Sequence, residues 1–356
     1  MTTHYSRLTI HLFLLILVAC GDVQPPISTD RLPPLQRPVT NNAVAAVVLN
    51  DGTALFSFLG MGVGKTWQDT RVEAFVLRPG AGEWVGLPDV PGPGRLASIA
   101  VTVSDKVYIF GGYTVATDGS EVSVPEVYVL DTGTLEYIPR MSMPVPVDDA
   151  VAFAYADRYI YLVSGWHNSG NVNLVQVYDT ALNNWFQATP YPGSAVFGHA
   201  GGIAGYAMVI CDGIRIAVRQ AEPRGFEATP ECYRGEIDDT DLARINWYSI
   251  PPHPGPARYR VAATGVPHNG GEIVFVGGTD NPYNFDGIGY DGIASKPSSQ
   301  VFSWSVTEGH WKLYGPLDTP TMDHRGLLRF DNQLVIVGGM HTGQVVSNEV
   351  VAFTLP

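Results

Sequence analysis

Lys106-Val107-Tyr108-Ile109-Phe110-Gly111-Gly112 is a short apolar run closed by two glycines, and the chain repeats it. Close copies are Tyr159-Ile160-Tyr161-Leu162-Val163-Ser164-Gly165, Glu272-Ile273-Val274-Phe275-Val276-Gly277-Gly278 and Gln333-Leu334-Val335-Ile336-Val337-Gly338-Gly339. Weaker copies, 54–60 and 207–213, keep the apolar stretch and the last glycine. Such runs, rich in β-branched and aromatic residues and bounded by glycine, read as β-strands. Their closing glycines stand at 60, 112, 165, 213, 278 and 339, so the spacings are 52, 53, 48, 65 and 61. Recurrence at that period describes one structural unit with loops of variable length.

Ahead of each run lies a further strand and a tight turn, such as Asn50-Asp51-Gly52, Ser104-Asp105, Ala156-Asp157, His268-Asn269-Gly270-Gly271 or Asp331-Asn332. These residues tolerate positive φ and suit hairpins. Behind it come a second β-run (Glu126–Asp131, Gln176–Asp179), an aromatic (Trp84, Tyr137, Trp185, Trp247, Trp311) and a proline-rich link. The unit is thus four antiparallel strands, a to d. The sixth unit stops on its strand c, Val350-Val351-Ala352-Phe353, while Asp30-Arg31-Leu32-Pro33-Pro34 reads as the end of a d strand before the first unit. The N-terminal segment is expected to complete the last blade and leave no open edge.

A double glycine, a tyrosine on the third strand and a tryptophan on the fourth resemble the kelch repeat, over roughly residues 25–356. The resemblance implies an all-β, six-bladed kelch-type β-propeller of the galactose-oxidase-like superfamily, with four antiparallel strands per blade. It bears on the fold far more than on the activity.

The first residues address the compartment. Arg7 precedes the apolar run 8–19, which ends at Leu17-Val18-Ala19-Cys20-Gly21. A basic start, a short apolar stretch and small residues before a cleavage point make a secretory signal. The run is too short for a hydrocarbon core that needs about 20 residues. The ending resembles the bacterial lipobox, which implies lipidation of Cys20. The expected organisation is a signal peptide over 1–19, a lipid-anchored tether over 20–28 and a propeller over 29–356. The envelope is the expected location, the outer membrane in a Gram-negative cell, with the lipid as the only membrane contact.

The chain carries a net charge of −13, which argues against nucleic acid, since that partner demands a basic footprint. Only 15% of residues are charged, against 39 glycines and 27 prolines, the balance of short strands and many turns. A monomer is expected. Cys211 ends a b strand and Cys232 lies on the neighbouring c strand, so a disulfide is the simpler account, with a free thiol or a crosslink as alternatives.

Strand order gathers the b–c loops and the d–a links on one face, the mouth. The b–c loops are roughly 61–70, 113–123, 166–173, 214–230, 279–299 and 340–347. Function is expected where loops vary on a rigid scaffold. The starts of the a strands ring the axis there: Asn42, Arg95, Asp149, His199, Arg258, Arg260, His324 and Arg325. On an acidic chain, Arg260 and Arg325 form a local cationic group, and a guanidinium fork matches a carboxylate. With His199, Asp149 and Tyr259 they are the expected ligand site, unless the arginines brace neighbouring links. The fifth loop, 279–299, carries Asp280, Asn281, Asn284, Asp286 and Asp291. Such oxygens suit Ca²⁺, although their spacing fits no calcium-loop template. No cofactor and no other metal is expected.

Two motifs fall away. Gly60–Thr66 resembles a phosphate loop, but the position that needs glycine is Leu59 and no helix follows. No G-x-S-x-G nucleophile motif occurs. The expected function is a tethered binding module that recognises a glycan, a peptide or a partner protein. The kelch resemblance implies an alternative, an enzyme of the sialic-acid mutarotase type, which needs an arginine and a carboxylate acid/base near the axis. A structural component of an envelope assembly is a third reading.

Overall fold

The computed structural model describes residues 24–217, 225–267 and 270–356. The signal segment, Cys20 and the His268-Asn269 turn lie outside them. Six four-stranded antiparallel sheets surround one axis, and no α-helix occurs among the described residues. Strands a, b, c and d of blade 1 are Ala43–Leu49, Gly52–Phe58, Ala74–Leu77 and Val85–Leu87. The a strands of blades 2 to 6 begin at Ile99, Val151, Ala200, Ala262 and Leu328.

The burial patterns follow from this stacking. The b strand of blade 5, Glu272–Val276, is buried at every position because its sheet is sandwiched between two others. The a strand of blade 2, Ile99–Val103, alternates buried and half-buried because one of its faces looks into the axial bore. Apolar side chains fill each of the six gaps between neighbouring blades.

The repeat signature has a physical cause at each end of the blade. The second glycine of the doublet sits at φ values only glycine adopts readily, 90° at Gly112 and 103° at Gly60. A Cβ at Gly112 would lie 2.5 Å from the carbonyl oxygen of Leu96, on the link entering the same blade. The tryptophans of strand d tie blades together. Trp84, Trp185, Trp247 and Trp311 each donate their indole N–H to a carbonyl of the link leaving the preceding blade: Pro33, Met141, Thr189 and Pro251.

The last blade closes as its truncated repeat requires. Thr29–Leu32 pairs antiparallel with Val350–Phe353 and supplies the missing fourth strand. Cys211 and Cys232 face each other across strands b and c of blade 4 and are joined by a disulfide. Closing a loop of this length contributes about 3 kcal/mol in the chain-entropy account.

Several b–c loops are more ordered than simple connections. Those of blades 2, 3, 4 and 6 fold back as two-stranded ribbons, for example Tyr113–Val115 against Glu121–Ser123.

Candidate functional site

One residue per blade, just before strand a, takes a left-handed φ: Asn41 (55°), Ala97 (55°), Asp149 (48°), Gly198 (61°), Arg260 (51°) and Asp323 (70°). Five of the six are not glycine, so the strain of about 1–3 kcal/mol at each must be held by the surroundings. Hydrogen bonds hold it, running from blade to blade. Asp149 N donates to Ala97 O (3.3 Å), Gly198 N to Asp149 O (2.8 Å), Arg260 N to Gly198 O (2.8 Å) and His324 N to Arg260 O (3.2 Å). Asn41 N donates to Asp323 O (3.1 Å), and Ala97 N closes the circle on Asn41 Oδ1 (2.7 Å).

The side chains of this belt meet across the axis. Arg260 lays a two-pronged contact on Asp149, Nη2 to Oδ2 at 2.6 Å and Nε to Oδ1 at 3.1 Å. Its Nη1 reaches Asp323 Oδ1 at 2.9 Å and the carbonyl of Asn284 at 2.6 Å. Arg325 Nη1 stands 2.5 Å from Asp149 Oδ1. Asp323 also accepts from Thr40 Oγ1 and Asn41 Nδ2. Arg260 is 1% exposed and Asp149 2%, so the network is sealed from water. Burial alone would raise the Asp149 carboxyl, but Arg260 and Arg325 hold it below the usual carboxylate range.

The structure therefore brings Asp149, Tyr259, Arg260 and Arg325 together, with the two guanidinium groups converging on a carboxylate. Arg95, which sequence reasoning set on the axis, instead lies in a link beneath the Tyr128 ring. Arg258 donates to Gln300, away from the belt. Asn42 and His324 are each one residue past the belt positions, Asn41 and Asp323, which the reading of the sequence missed. The six belt residues, Asn41, Ala97, Asp149, Gly198, Arg260 and Asp323, share no residue type, so no motif marks them in the sequence.

Toward the loops, the belt is roofed by the 279–299 loop. Asn284 binds Arg260, and Phe285 packs on the apolar cluster of Met61, Leu96 and Tyr113. The rings of Tyr290 and Phe226 of blade 4 pack at a tilt with centres 4.3 Å apart, and Gln344 of blade 6 donates to Ser295 O at 2.7 Å. The mouth is thus covered by the longest of its loops. The calcium reading of this loop meets carboxylates already engaged. Asp286 and Asp291 each accept the backbone N–H two residues on, and Asp291 also accepts from Asn281. Among the described residues no group of three or more His, Cys, Asp or Glu side chains could hold a metal ion.

Beneath that roof lies a buried polar cluster that sequence reasoning did not find. Tyr259 and Tyr283 flank Arg260, with its guanidinium 4.8 and 5.3 Å from their ring centres. The hydroxyls of Tyr113 and Tyr259 and the Oε1 of Glu121 are buried there without a hydrogen-bond partner. Burial raises the Glu121 carboxyl, despite a hydrogen bond with Asn284. Burial, and then the charge of Asp149, push the Asp148 carboxyl well above its ordinary range. Unpaired buried polar atoms cost roughly 1–3 kcal/mol each, and perturbed carboxyls beside a buried arginine mark a candidate site.

On the other side of the belt, Arg325, His199 and His324 floor an axial cavity of about 630 Å³. His199 shares Nε2 with Val163 O at 3.0 Å, while its Nδ1 has no partner. Burial lowers His199 to about 4 and His324 to about 3. Below pH 6.5 the unfolded chain takes up protons that both folded imidazoles refuse, so their contribution to stability falls as pH falls. Each should cost about 2 kcal/mol by pH 5. Denaturant titrations from pH 7 to 5 should show the loss, and His199→Gln with His324→Gln should flatten that slope. An unchanged slope in the double variant would refute the assignment.

No family model matches the chain. An N-acetylneuraminate epimerase of Salmonella typhimurium is 22% identical, over 91% of this chain and 90% of that protein. The Kelch-like protein terF of Aspergillus terreus is 28% identical, over 67% of this chain and 49% of its own length. The solved structure of YjhT superposes with a TM-score of 0.72 at 17% identity, covering 91% of this chain and 97% of that one. Repeat, strand order and these likenesses agree: the chain is a kelch-repeat, six-bladed β-propeller.

Proposed function

We propose that the protein binds a small acidic sugar at the buried polar cluster beneath the 279–299 loop, which must part to admit it. The observation that carries this reading is the set of unpartnered buried groups, Tyr113 Oη, Tyr259 Oη and Glu121 Oε1, gathered around Arg260. Hydroxyls of a sugar would satisfy them, and tyrosine rings supply the flat apolar faces that sugar rings pack against. Arg260 has one partner that a ligand can replace without breaking the belt, the carbonyl of Asn284, which belongs to the roof. The N-acetylneuraminate epimerases, similar along nine-tenths of this chain, are named for such a sugar.

Titration calorimetry with N-acetylneuraminate, and with neutral N-acetylmannosamine as control, tests the reading. The acid should bind saturably and at least tenfold tighter than the neutral sugar. Tyr259→Phe and Glu121→Gln should each weaken it several-fold, the range one hydrogen bond supplies, with unchanged melting. No binding, or variants that bind like the parent, would sink the proposal.

The raised carboxyl of Glu121 favours a second reading, in which the bound sugar also turns over. Glu121 would give its proton to the ring oxygen while the anomeric O–H gives its proton to water. The ring C–O bond breaks and a carbonyl forms. Reclosure on its other face, with the ring hydroxyl returning the proton to Glu121 and the carbonyl oxygen taking one from water, would exchange the anomers. NMR of a freshly dissolved single anomer decides. Acceleration that Glu121→Gln reduces by about a hundredfold makes the protein an enzyme; binding without acceleration leaves it a binding module.

A further inference from the structure

The roof is bonded largely to itself. Gly289 N donates to Ile293 O (2.7 Å), Tyr290 N to Pro282 O (3.1 Å) and Ser295 N to Gly287 O (2.9 Å), while Ser295 Oγ donates to Asn281 O (2.7 Å). Its two ends are fixed to blade 5, at Thr279 by pairing with Tyr259 and at Ser298 by a bond from its N–H to Gly278 O. Across the mouth it is held by a plug and a latch. The plug is Tyr283 against Arg260, the Asn284 carbonyl on Arg260 Nη1 at 2.6 Å, and Phe285 on the cluster of Met61, Leu96 and Tyr113. The latch is Gln344 of blade 6, whose amide donates to Ser295 O, and whose own carbonyl accepts from Lys65 Nζ of blade 1 at 3.1 Å. Gly287 lets that side chain lie on the roof backbone, since a Cβ there would stand 2.5 Å from Gln344 Cγ. A loop that keeps its own hydrogen bonds can swing away as a body when such ties break, without unfolding the scaffold.

We infer that the roof is an autoinhibitory gate over the Arg260 site, in which Asn284 holds the ligand's seat and Gln344 latches it shut. The inference rests on the sugar reading for its ligand. The plug touches two groups that the sugar needs: the Asn284 carbonyl takes the Arg260 Nη1 proton, and its side chain bonds the Glu121 carboxyl. A neutral carbonyl oxygen there stands where a carboxylate oxygen would sit, and one N–H cannot serve both at full strength. The sugar therefore binds the open roof only. Its apparent affinity is the intrinsic affinity multiplied by the fraction of molecules that are open. Each contact that holds the roof shut then weakens binding by the factor it adds to closure.

Gln344→Ala removes the latch and leaves the belt and the plug in place. It should tighten N-acetylneuraminate binding roughly two- to tenfold, the range that one hydrogen bond supplies. The gain should lie in the association rate, because opening precedes binding. Ile293→Ser, on the roof but 62% exposed, should change neither affinity nor rate. A second readout needs no sugar. Met61 is fully buried in the cluster that Phe285 covers, so the thiol of Met61→Cys reacts with a maleimide only while the roof is open. Adding Gln344→Ala should speed that reaction by the same factor as the affinity gain. Equal labelling in the two backgrounds would overturn the inference. So would weaker sugar binding by Gln344→Ala, which would mean that the roof closes onto the sugar. If neither parent nor variant binds N-acetylneuraminate, the sugar reading fails, and the labelling rates alone judge the gate.

Discussion

Arg260→Leu is expected to lower the unfolding free energy by about 3–5 kcal/mol, the cost of removing one partner from a buried ion network. The guanidinium joins three blades. It is bonded to Asp149 of blade 3 and Asp323 of blade 6, while its own amide and carbonyl continue the belt from blade 4 to blade 6. Without it, Asp323 keeps Asn41 and Thr40, both uncharged, and Asp149 keeps Arg325. Both carboxylates then lie in a medium that solvates them poorly. Left-handed backbone at residue 260 (φ 51°) adds strain that the side-chain bonds hold in place. Lysine should rescue little, because a single ammonium cannot reproduce the two-pronged contact on Asp149. Urea unfolding of Arg260→Leu and Arg260→Lys measures this directly. A midpoint equal to that of the parent would mean that the belt alone holds the blades and that the arginine is free for another task.

The fold was legible because its information is local and repeated. A glycine doublet needs positive φ, a hairpin needs Asn, Asp or Gly, and an indole needs a carbonyl on the adjacent link; each leaves a residue at a fixed place in every unit. The missing Trp strand after Val350–Phe353 pointed to Thr29–Leu32, which pairs there. The site was legible only in part. Strand order put Asp149, Arg260 and Arg325 near the axis, but a count of strands carries an error of one residue, and one residue decides which side chain crosses the axis. Asn41 and Asp323 were lost that way. Glu121 was missed for another reason. It sits on a b–c ribbon whose reach over the axis depends on how the 279–299 loop folds, and no period in the sequence encodes that. The roof was unreadable for the same cause: its contacts with Phe226, Phe285's apolar neighbours and Gln344 are long-range and occur once.

Removing residues 21–34 should cost more than any single surface change, because it takes away the strand that completes the last blade. Four residue pairs between Thr29–Leu32 and Val350–Phe353 are lost, leaving the outer edge of strand c unpaired. Ile27, 5% exposed, leaves the gap between blades 5 and 6, and Leu32 leaves the gap between blades 6 and 1. Full burial of such side chains contributes roughly 1.5–3 kcal/mol each. The indole of Trp84, buried completely, loses its acceptor, the carbonyl of Pro33, and a buried donor without a partner costs a further 1–3 kcal/mol or so. Several kcal/mol in total corresponds to a fall in melting temperature of about 10 °C or more for a chain of this size. The exposed edge should also pair with other copies, so light scattering should rise during unfolding of the truncated chain and not of the parent. Ile27→Asp separates packing from strand pairing: it keeps the fourth strand and should lose only the part of the stability that the side chain supplies. Equal melting of truncated and parent chains would show that the ring is held shut by the inner belt, with the borrowed strand as a passive cover.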